Sequence, residues 1–225
     1  MRAIQFTEFG DPSKLHLVTL PDPKPDEATA VIRIKAASVN PSDIKNVAGQ
    51  MEHTVLPRVP GRDFSGVVEA GPAEWLVAEV WGTGGDIGFL VDGTHAERIA
   101  YPVASLVRKP RNLDHATASA IGVMFEPALR SLGHRGRLIE ISGTGRRRVE
   151  FDAVDFYHNE SRIFGADSRK LDIAGSAKLL ADLVPGFESG AYAAPVIAAT
   201  YPLEEARAAY EAVANGTAGR VVITP

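Results

Sequence analysis

The feature that most constrains the fold is a series of short apolar runs in the first half of the chain, separated by Gly, Pro and Asp residues. The runs are AIQF, LHLVTL, AVIRIKA, SGVVEAG, AERIAY and SLVRK. Runs of this length between turn-forming residues are typical of β-strands. In AVIRIKA, Arg33 and Lys35 share a mostly polar face with Val31. Ile32 and Ile34 form the apolar face that a half-buried antiparallel strand requires. The pattern predicts a small β-barrel or sandwich.

The spacing of apolar residues changes at Asp114. DHATASAIGV and PALRSL have helical spacing, GRLIEISG and SRIFGADS follow, and GSAKLLADLV is rich in Ala and Leu, as a helix would be. A last helical pattern, PLEEARAAYEAVANG, ends at Gly216 and is followed by a final strand pattern, GRVVIT. The second half of the chain is therefore predicted to be α/β.

The composition restricts the partners and metals to expect. The 24 Lys and Arg residues against 28 Asp and Glu residues give no basic field for nucleic acid. The chain has no cysteine, which excludes disulfides and thiolate metal sites, and its histidines have no His-x-x-x-His spacing. No run approaches the ~18 apolar residues of a membrane span, and the N-terminus has no secretory pattern. A cytoplasmic protein without a membrane or nucleic acid partner is expected.

Several phrases of the sequence occur in the same order in one protein family. They include VIRIKAASVNPSDIKNVAG, LPRVPGRDFSGVVEAGP, VWGTGGDIGFLVDGTHAERIAYP, LVRKPRNLDHATASAIGV, LRSLGHRGRLIEIS and AGRVVITP. On these phrases the chain resembles a zinc-independent medium-chain dehydrogenase/reductase of the quinone oxidoreductase type. The resemblance implies a GroES-like β domain that holds the substrate, an inserted Rossmann domain that holds NADPH, and last strands that return to the first domain.

The resemblance also implies that a large internal piece is missing. In the family, the first Rossmann strand, the Gly-rich phosphate turn and several βα units separate ATASAIGV from FEPALRSLGHRGRLIEIS. Here the two phrases are almost contiguous, so roughly a hundred residues are absent at ~30 per βαβ unit. The Gly-x-Gly triplets that begin at Gly82 and Gly143 lack the third glycine of a dinucleotide fingerprint, since Ile87 and Arg148 stand there.

These observations predict the fold class and the domains. We expect a mainly β GroES-like barrel with a truncated α/β portion that is a Rossmann remnant. Residues 1–122 plus 184–225 would form the GroES-like substrate domain, and residues 123–183 the remnant. The strand RIFGA, 162–166, resembles the edge strand through which intact family members join two subunits, which predicts a homodimer.

The NPSDIK phrase contains the predicted catalytic residues. In zinc-independent relatives this phrase lines the substrate cleft, which implies roles for Asn40, Asp43 and Lys45. Lys45 would be an electrostatic donor to the oxygen that gains negative charge, and Asn40 a hydrogen-bonding positioner. The segment is equally a good turn and helix N-cap. Asn40 stands where a cysteine ligand could stand and Arg62–Asp63 where a His-Glu pair is usual, so no zinc is expected. Arg62–Asp63 would instead pair internally or with neighbours.

The sequence predicts at most weak binding of the cofactor NADPH. Ile141, Ser142 and Gly143 would border the nicotinamide as a residual half-site for NADPH. The pyrophosphate, ribose and adenine contacts that supply most of the affinity are missing, so NADPH binding is expected to be weak or absent. The basic run at 146–148 is either a 2′-phosphate contact or a solvated loop. His95 is interpreted as a buried structural histidine within a strand.

Two functions from different classes remain open at this point. One is a quinone oxidoreductase-like protein that reduces a small quinone or enone-like carbonyl compound with NADPH weakly or not at all. The other is a non-catalytic module that binds a small molecule or a protein through the GroES-like domain. A chain that folds without either function is a third interpretation.

Overall fold

The computed structural model describes residues 1–51, 53–119, 132–140, 153–165 and 171–225 of the chain. The chain divides into two compact units, one of Met1–Ile121 with Leu171–Pro225 and the other of Gly122–Lys170. The first unit thus includes residues 171–183, which the sequence-based prediction places in the Rossmann remnant. The junction around Gly122 and Val123 lies outside the described residues.

The elements of the described ranges are numbered along the chain. The strands are β1 (Arg2–Gln5), β2 (His16–Thr19), β3 (Thr29–Val39), β4 (Phe64–Ala70), β5 (Glu79–Gly82), β6 (Arg98–Pro102), β7 (Val107–Arg108), β8 (Arg137–Glu140), β9 (Arg162–Gly165), β10 (Ile197–Pro202) and β11 (Arg220–Thr224). The α-helices are α1 (Pro41–Val47), α2 (His115–Ala118), α3 (Ala153–His158), α4 (Ile173–Glu188) and α5 (Ala206–Ala214). No helix in these ranges is long and apolar enough to cross a membrane.

The first unit is built on a seven-stranded mixed sheet with the order β10-β11-β3-β4-β5-β7, in which β6 also pairs with β3. Strand β3 is central, with antiparallel partners β4, β6 and β11. Its Arg33 and Lys35 are exposed and Ile32 and Ile34 are buried, as the alternation predicts. Val31 is buried as well, because β4 and β6 both pair with β3 at this position.

The C-terminal strand returns to the first half of the chain. Val221 of β11 lies opposite Val39 of β3, and Val222 lies opposite Ser38. Strand β10 then extends the sheet as a parallel partner of β11. The expected return of the last strand is confirmed. Strand β11 pairs with the end of β3, directly before the NPSDIK segment.

Helix α4 packs on the first unit through one apolar face. Its Ala177, Leu180 and Phe187 are buried in a cluster with Trp81. The rings of Trp81 and Phe187 meet edge to face with centroids 6.0 Å apart, a favourable arrangement for aromatic pairs. Trp81 is therefore a core residue, and this packing explains why residues 171–183 belong to the first unit.

The described part of the second unit contains a parallel pair of strands and a short helix. Strands β8 and β9 pair in parallel, with Leu138 opposite Ile163 and Ile139 opposite Phe164. Helix α3 stands between them in the chain, the order of a βαβ unit. Leu138 is buried, whereas Ile139 and Phe164 are exposed.

Candidate functional site

Asn40 lies at the junction between β3 and α1. Its backbone is extended, with φ −103° and ψ 154°, and Pro41 begins the helix, where a proline with its fixed φ is favourable. The Asn40 main-chain N–H donates to Asp43 Oδ2 at 2.7 Å. The local sequence therefore forms the helix N-terminus that the turn interpretation predicts, with Asp43 holding the main chain of Asn40.

The side chain of Asn40 is held by a second carboxylate. Its Nδ2 donates to Asp63 Oδ2 at 2.8 Å. Asp63 also accepts from the Thr83 hydroxyl, while Ser38 Oγ lies 3.5 Å from Asp63 and donates its hydrogen to the Ser119 carbonyl. The Thr94 hydroxyl donates to the Asp63 main-chain carbonyl at 3.1 Å. Asn40 is thus fixed at two points, and the partly buried Asp63 is the centre of the cluster.

Asp43 is fully buried, and its Oδ1 has no hydrogen-bond partner among the described residues. Burial raises the pKa of Asp43 to about 7, helped by the nearby charge of Asp63 and opposed by the hydrogen bond from Asn40. A carboxyl group with no exposed surface does not touch a bound molecule directly. Its geometry makes it a support for the turn.

Lys45 lies apart from this cluster. It follows Asp43 by two positions, which is ~200° around a helix, so the two side chains lie on different faces of α1. The side chain of Lys45 is partly buried and makes no hydrogen bond or ion pair with another described residue. The structure brings Asn40 and Asp43 together with Asp63, and it does not bring Lys45 to them.

Arg62 and Asp63 do not form an ion pair with each other. The Arg62 guanidinium stacks over the Phe89 ring at 5.1 Å, and its Nη2 donates to the Gly85 carbonyl at 3.5 Å. Both residues therefore contact neighbours, one of the two alternatives left open by the sequence. Arg62 braces the loop after β5, and Asp63 turns toward Asn40.

His95 lies beside this cluster and contacts Ser38 and Tyr210. It is fully buried, and burial lowers its pKa to about 4, so the ring is neutral at pH 7. The Tyr210 hydroxyl lies 3.0 Å from Nδ1, and Nε2 lies 3.2 Å from the Ser38 carbonyl. This fits a tautomer in which Tyr210 donates to Nδ1 and Nε2–H donates to Ser38. The structural interpretation of His95 is confirmed, although it lies just before β6 rather than within a strand.

The Gly-rich loop after β5 is a packing feature. Gly84 and Gly85 have φ of 96° and 58°, which glycine adopts without strain. A Cβ on Gly84 would lie 2.2 Å from Ser176 Oγ, and one on Gly85 would lie 2.5 Å from Ile173 Cγ1. The loop therefore presses against the first turn of α4, and its Thr83 reaches Asp63.

A second polar cluster lies elsewhere in the first unit. Ser65 Oγ is 2.6 Å from His115 Nδ1, and His115 Nε2 is 3.3 Å from Glu79 Oε1. The residue types are those of a Ser-His-acid triad, but Ser65 is fully buried and inaccessible to a substrate. Lys109 joins Glu79 at 3.2 Å. Burial lowers the pKa of His115, with Glu79 opposing the shift. The cluster ties two strands to α2.

The N-terminus of the longest described helix is not suited to bind a dinucleotide phosphate. The predicted half-site of Ile141, Ser142 and Gly143 lies outside the described residues, as does the basic run at 146–148. In the described ranges the longest helix, α4, begins at Ile173, and the carboxylate of its N-cap residue Asp172 already accepts from Gly175 N at 2.7 Å. A negative N-cap repels a phosphate. Within these ranges no group of three His, Cys, Asp or Glu residues is placed to hold a metal ion.

Comparison with known families decides the affiliation of the chain. The alcohol dehydrogenase GroES-like domain matches residues 26–111, and the zinc-binding dehydrogenase family matches residues 91–223, more than half of the chain. The chain belongs to the zinc-binding dehydrogenase family of medium-chain dehydrogenases/reductases. The β-rich first unit accordingly contains a GroES-like domain, and the resemblance seen in the sequence is confirmed.

Several relatives in this family match parts of the chain. A zinc-type alcohol dehydrogenase-like protein of Schizosaccharomyces pombe is 36% identical over 135 residues, 59% of this chain and 42% of the relative. A quinone oxidoreductase of Lama guanicoe is 34% identical over 136 residues, 60% of this chain and 41% of the relative. A 2-methylene-furan-3-one reductase of Solanum lycopersicum is 34% identical over 148 residues, 60% and 38%. The chain spans about two fifths of the length of these relatives.

A solved structure supports the same fold. The crystal structure of an NAD-dependent alcohol dehydrogenase aligns over the whole of both chains with a TM-score of 0.78 and 19% identity. At this identity the likeness concerns the fold alone.

The sequence did not point to Tyr210, to the Asn40–Asp63 contact or to the Ser65–His115 contact. Their partners are 115, 23 and 50 residues away in the chain. The residue types were visible, but no local pattern indicated which side chains would meet.

Proposed function

We propose that this chain binds a small quinone or enone-like carbonyl compound beside Asn40 and reduces it with NADPH weakly or not at all. The observation that carries the proposal is the fixed amide of Asn40, held at 2.8 Å by Asp63 in the phrase that lines the substrate site in zinc-independent relatives. The names of the relatives, a quinone oxidoreductase and a furanone reductase, support the same class of substrate.

The chemistry of carbonyl reduction explains the choice of residues. Reduction builds negative charge on an oxygen, and fixed hydrogen-bond donors at that oxygen stabilise the charge. The second amide hydrogen of Asn40 is such a donor. Lys45 would act on the substrate only if it turned toward Asn40, and the buried Asp43 would act only through Asn40. NADPH would supply the hydride if it bound, and the acidic N-cap of α4 does not favour its phosphates.

The architecture belongs to the same proposal. A closed GroES-like barrel would hold the substrate, and the βαβ segment of the second unit would be the Rossmann remnant, with Ile141, Ser142 and Gly143 as a weak half-site. We expect NADPH to bind at least a hundredfold more weakly than to an intact relative, which corresponds to ~2.8 kcal/mol. A cytoplasmic location without zinc is part of the same expectation.

Titration calorimetry tests both halves of the proposal. NADPH and menadione, a simple quinone, would be titrated separately into the wild-type chain and into an intact quinone oxidoreductase. We expect menadione to bind this chain without NADPH, and Asn40→Ala to weaken that binding. A low-micromolar dissociation constant for NADPH would contradict the expected weakness. The absence of menadione binding would contradict the substrate class.

A non-catalytic binding module is the second candidate, and the missing Gly-rich turn favours it. A module that binds small molecules also predicts that menadione binds, whereas a module that binds a protein does not. Only the reductase predicts NADPH oxidation when menadione is present. Any such turnover should fall in Asn40→Ala and Lys45→Ala. Turnover that both variants leave unchanged would remove these residues from the mechanism.

The assembly expected with this function is a homodimer. The exposed Phe164 of β9 supports it, because β9 pairs with β8 as its one strand partner among the described residues and an unpaired edge invites association. Light scattering should report about twice the 24.0 kDa mass of one chain. Phe164→Asp should shift the protein to a monomer or an aggregate, and a wild-type monomer at tens of micromolar would contradict the pairing.

A further inference from the structure

Three polar side chains converge on the carboxylate of Asp63, each from a different element. Asn40 Nδ2 reaches Oδ2 at 2.8 Å from the start of α1. Ser38 Oγ lies 3.5 Å from the same oxygen and belongs to β3, while the Thr83 hydroxyl reaches Oδ1 from the loop after β5. The single hydroxyl hydrogen of Ser38 is donated to the nearer Ser119 carbonyl, so the donors that hold the carboxylate are Asn40 and Thr83, from two different elements.

The surroundings prevent Asp63 from following Asn40 if that residue moves. Thr94 fixes the Asp63 main chain through its carbonyl oxygen. The loop that carries Thr83 is fixed because Gly84 packs against Ser176 without room for a side chain. Asp63 is therefore a fixed acceptor for the amide of Asn40.

The chemistry of the two groups determines which end of the amide faces Asp63. An asparagine amide has an oxygen that accepts and a nitrogen that donates, and the two ends have nearly the same shape. An ionised carboxylate only accepts, so it selects the nitrogen of Asn40. One Nδ2 hydrogen is used in this bond, and the orientation of the other hydrogen is fixed by the planarity of the amide.

We propose that Asp63 is a positioning residue that locks the amide of Asn40, so that its second N–H, rather than its carbonyl, faces a carbonyl oxygen of the substrate. The role toward a substrate rests on the proposed function. The locked orientation of the amide does not, because it follows from the contacts of Asp63 alone. Without Asp63 the amide would turn, and its oxygen would repel the substrate oxygen in part of the molecules.

The locked orientation is tested by nuclear magnetic resonance of the Asn40 side chain, whose signal is identified by its loss in Asn40→Ala. We expect the Nδ2 hydrogen that is bonded to Asp63 to exchange with water slowest in the wild type and at least ~tenfold faster in Asp63→Ala. Asp63→Asn, which keeps a neutral acceptor, should lie between them. Asp92→Ala is the matched control, because Asp92 holds Arg58 Nη1 and Val59 N, both at 3.0 Å, away from Asn40.

Exchange in Asp63→Ala that equals the wild type would overturn the proposal. If Asp63→Ala does not fold, the comparison of Asp63→Asn with the wild type decides the question, and equal exchange in those two proteins overturns it. The proposal is also overturned if Asp92→Ala changes the Asn40 signal as much as the Asp63 variants do.

A double-mutant cycle on menadione binding tests the role toward the substrate. The chain has no cysteine, so the quinone meets no thiol that could add to it. Asp63→Ala should weaken binding by ~tenfold in the wild type and less than ~twofold in Asn40→Ala, because Asp63 acts through Asn40. Equal losses in both backgrounds would contradict the positioning role. A wild type that binds no menadione contradicts the proposed function, and the exchange experiment still decides whether Asp63 locks the amide.

Discussion

The first unit contains two polar clusters, one around Asp63 and one around His115, with similar residue types but different exposure. Around Asp63, a partly buried carboxylate collects donors and leaves Asn40 partly exposed. Around His115, the group with nucleophilic chemistry, Ser65, is fully buried, and the exposed member is Glu79. Accessibility therefore separates a candidate site from a structural brace, even where the brace has the side chains of a catalytic triad.

The largest expected effect comes from Gly84→Ala. This change disturbs the packing against α4 that fixes the loop carrying Thr83, a donor to Asp63. The new Cβ would meet Ser176 Oγ at 2.2 Å, in a backbone with φ of 96°. We expect a loss of about 2–4 kcal/mol in the free energy of unfolding, measured with urea, together with faster exchange of the Asn40 amide.

Gly216→Ala is the matched control for this change. Its φ is 83°, but a Cβ there meets nothing within 4 Å. It should cost only about 1 kcal/mol, the cost of the backbone conformation alone. Equal losses for the two variants would show that the contact with α4 does not support the Asp63 cluster.

The next effect concerns pH and compares two buried groups beside Asp63, Asp43 and His95. The pKa of Asp43 is raised from 3.8 to about 7, so the folded state binds more protons and its stability falls as pH rises through that window. The pKa of His95 is lowered from 6.5 to about 4, so its contribution makes stability rise between those values. The two slopes oppose each other between pH 4 and 6.5.

Removing either group should reveal the other slope. Asp43→Asn should make stability rise between about pH 4 and 6.5, and His95→Gln should make it fall between about pH 4 and 7. Urea unfolding at a series of pH values measures both. Profiles that stay parallel to that of the wild type would contradict the opposed protonation of the two residues.

A smaller effect distinguishes the brace from the candidate site. Ser65→Ala removes the partner of His115 Nδ1 inside the protein, which should cost about 1–2 kcal/mol of stability. Menadione binding should stay unchanged. Asn40→Ala should do the reverse, with a small loss of stability and a clear loss of binding. A Ser65→Ala variant that loses binding at unchanged stability would contradict the assignment of the two clusters.

The smallest expected effect concerns the connection between β4 and β5, the strands that carry Ser65 and Glu79. Val77, in the connection between β4 and β5, is exposed and has φ of 58°, a conformation that a β-branched residue rarely adopts. Val77→Gly should stabilise the protein by about 1 kcal/mol, because the strain is relieved. The Asn40 amide signal should not change. Thermal unfolding measures the gain, and a lower midpoint would show that Val77 is not strained.

The strand pattern of the first half, the polar face of β3 and the return of the last strand could be predicted from the sequence. Each depends on the periodicity of neighbouring residues or on a family phrase. The hydrogen bonds of Asp63 could not be predicted. Their donors, Asn40 and Thr83, belong to separate elements that come before and after Asp63 in the chain. Hydrophobic periodicity fixes which face is buried, and it carries no information about which polar group stands opposite another.

The pairing of β11 with β3 has a consequence for the order in which the protein is synthesised. Val39 pairs with Val221 and His95 contacts Tyr210, so the structure around Asn40 is incomplete until these late segments have left the ribosome. Until then the edge of β3 is open to pairing with another nascent chain. Closing so long a loop also slows folding. The yield of native protein should therefore depend on how quickly translation delivers the segment that contains Tyr210 and β11, and on chaperones that shield β3 in the meantime.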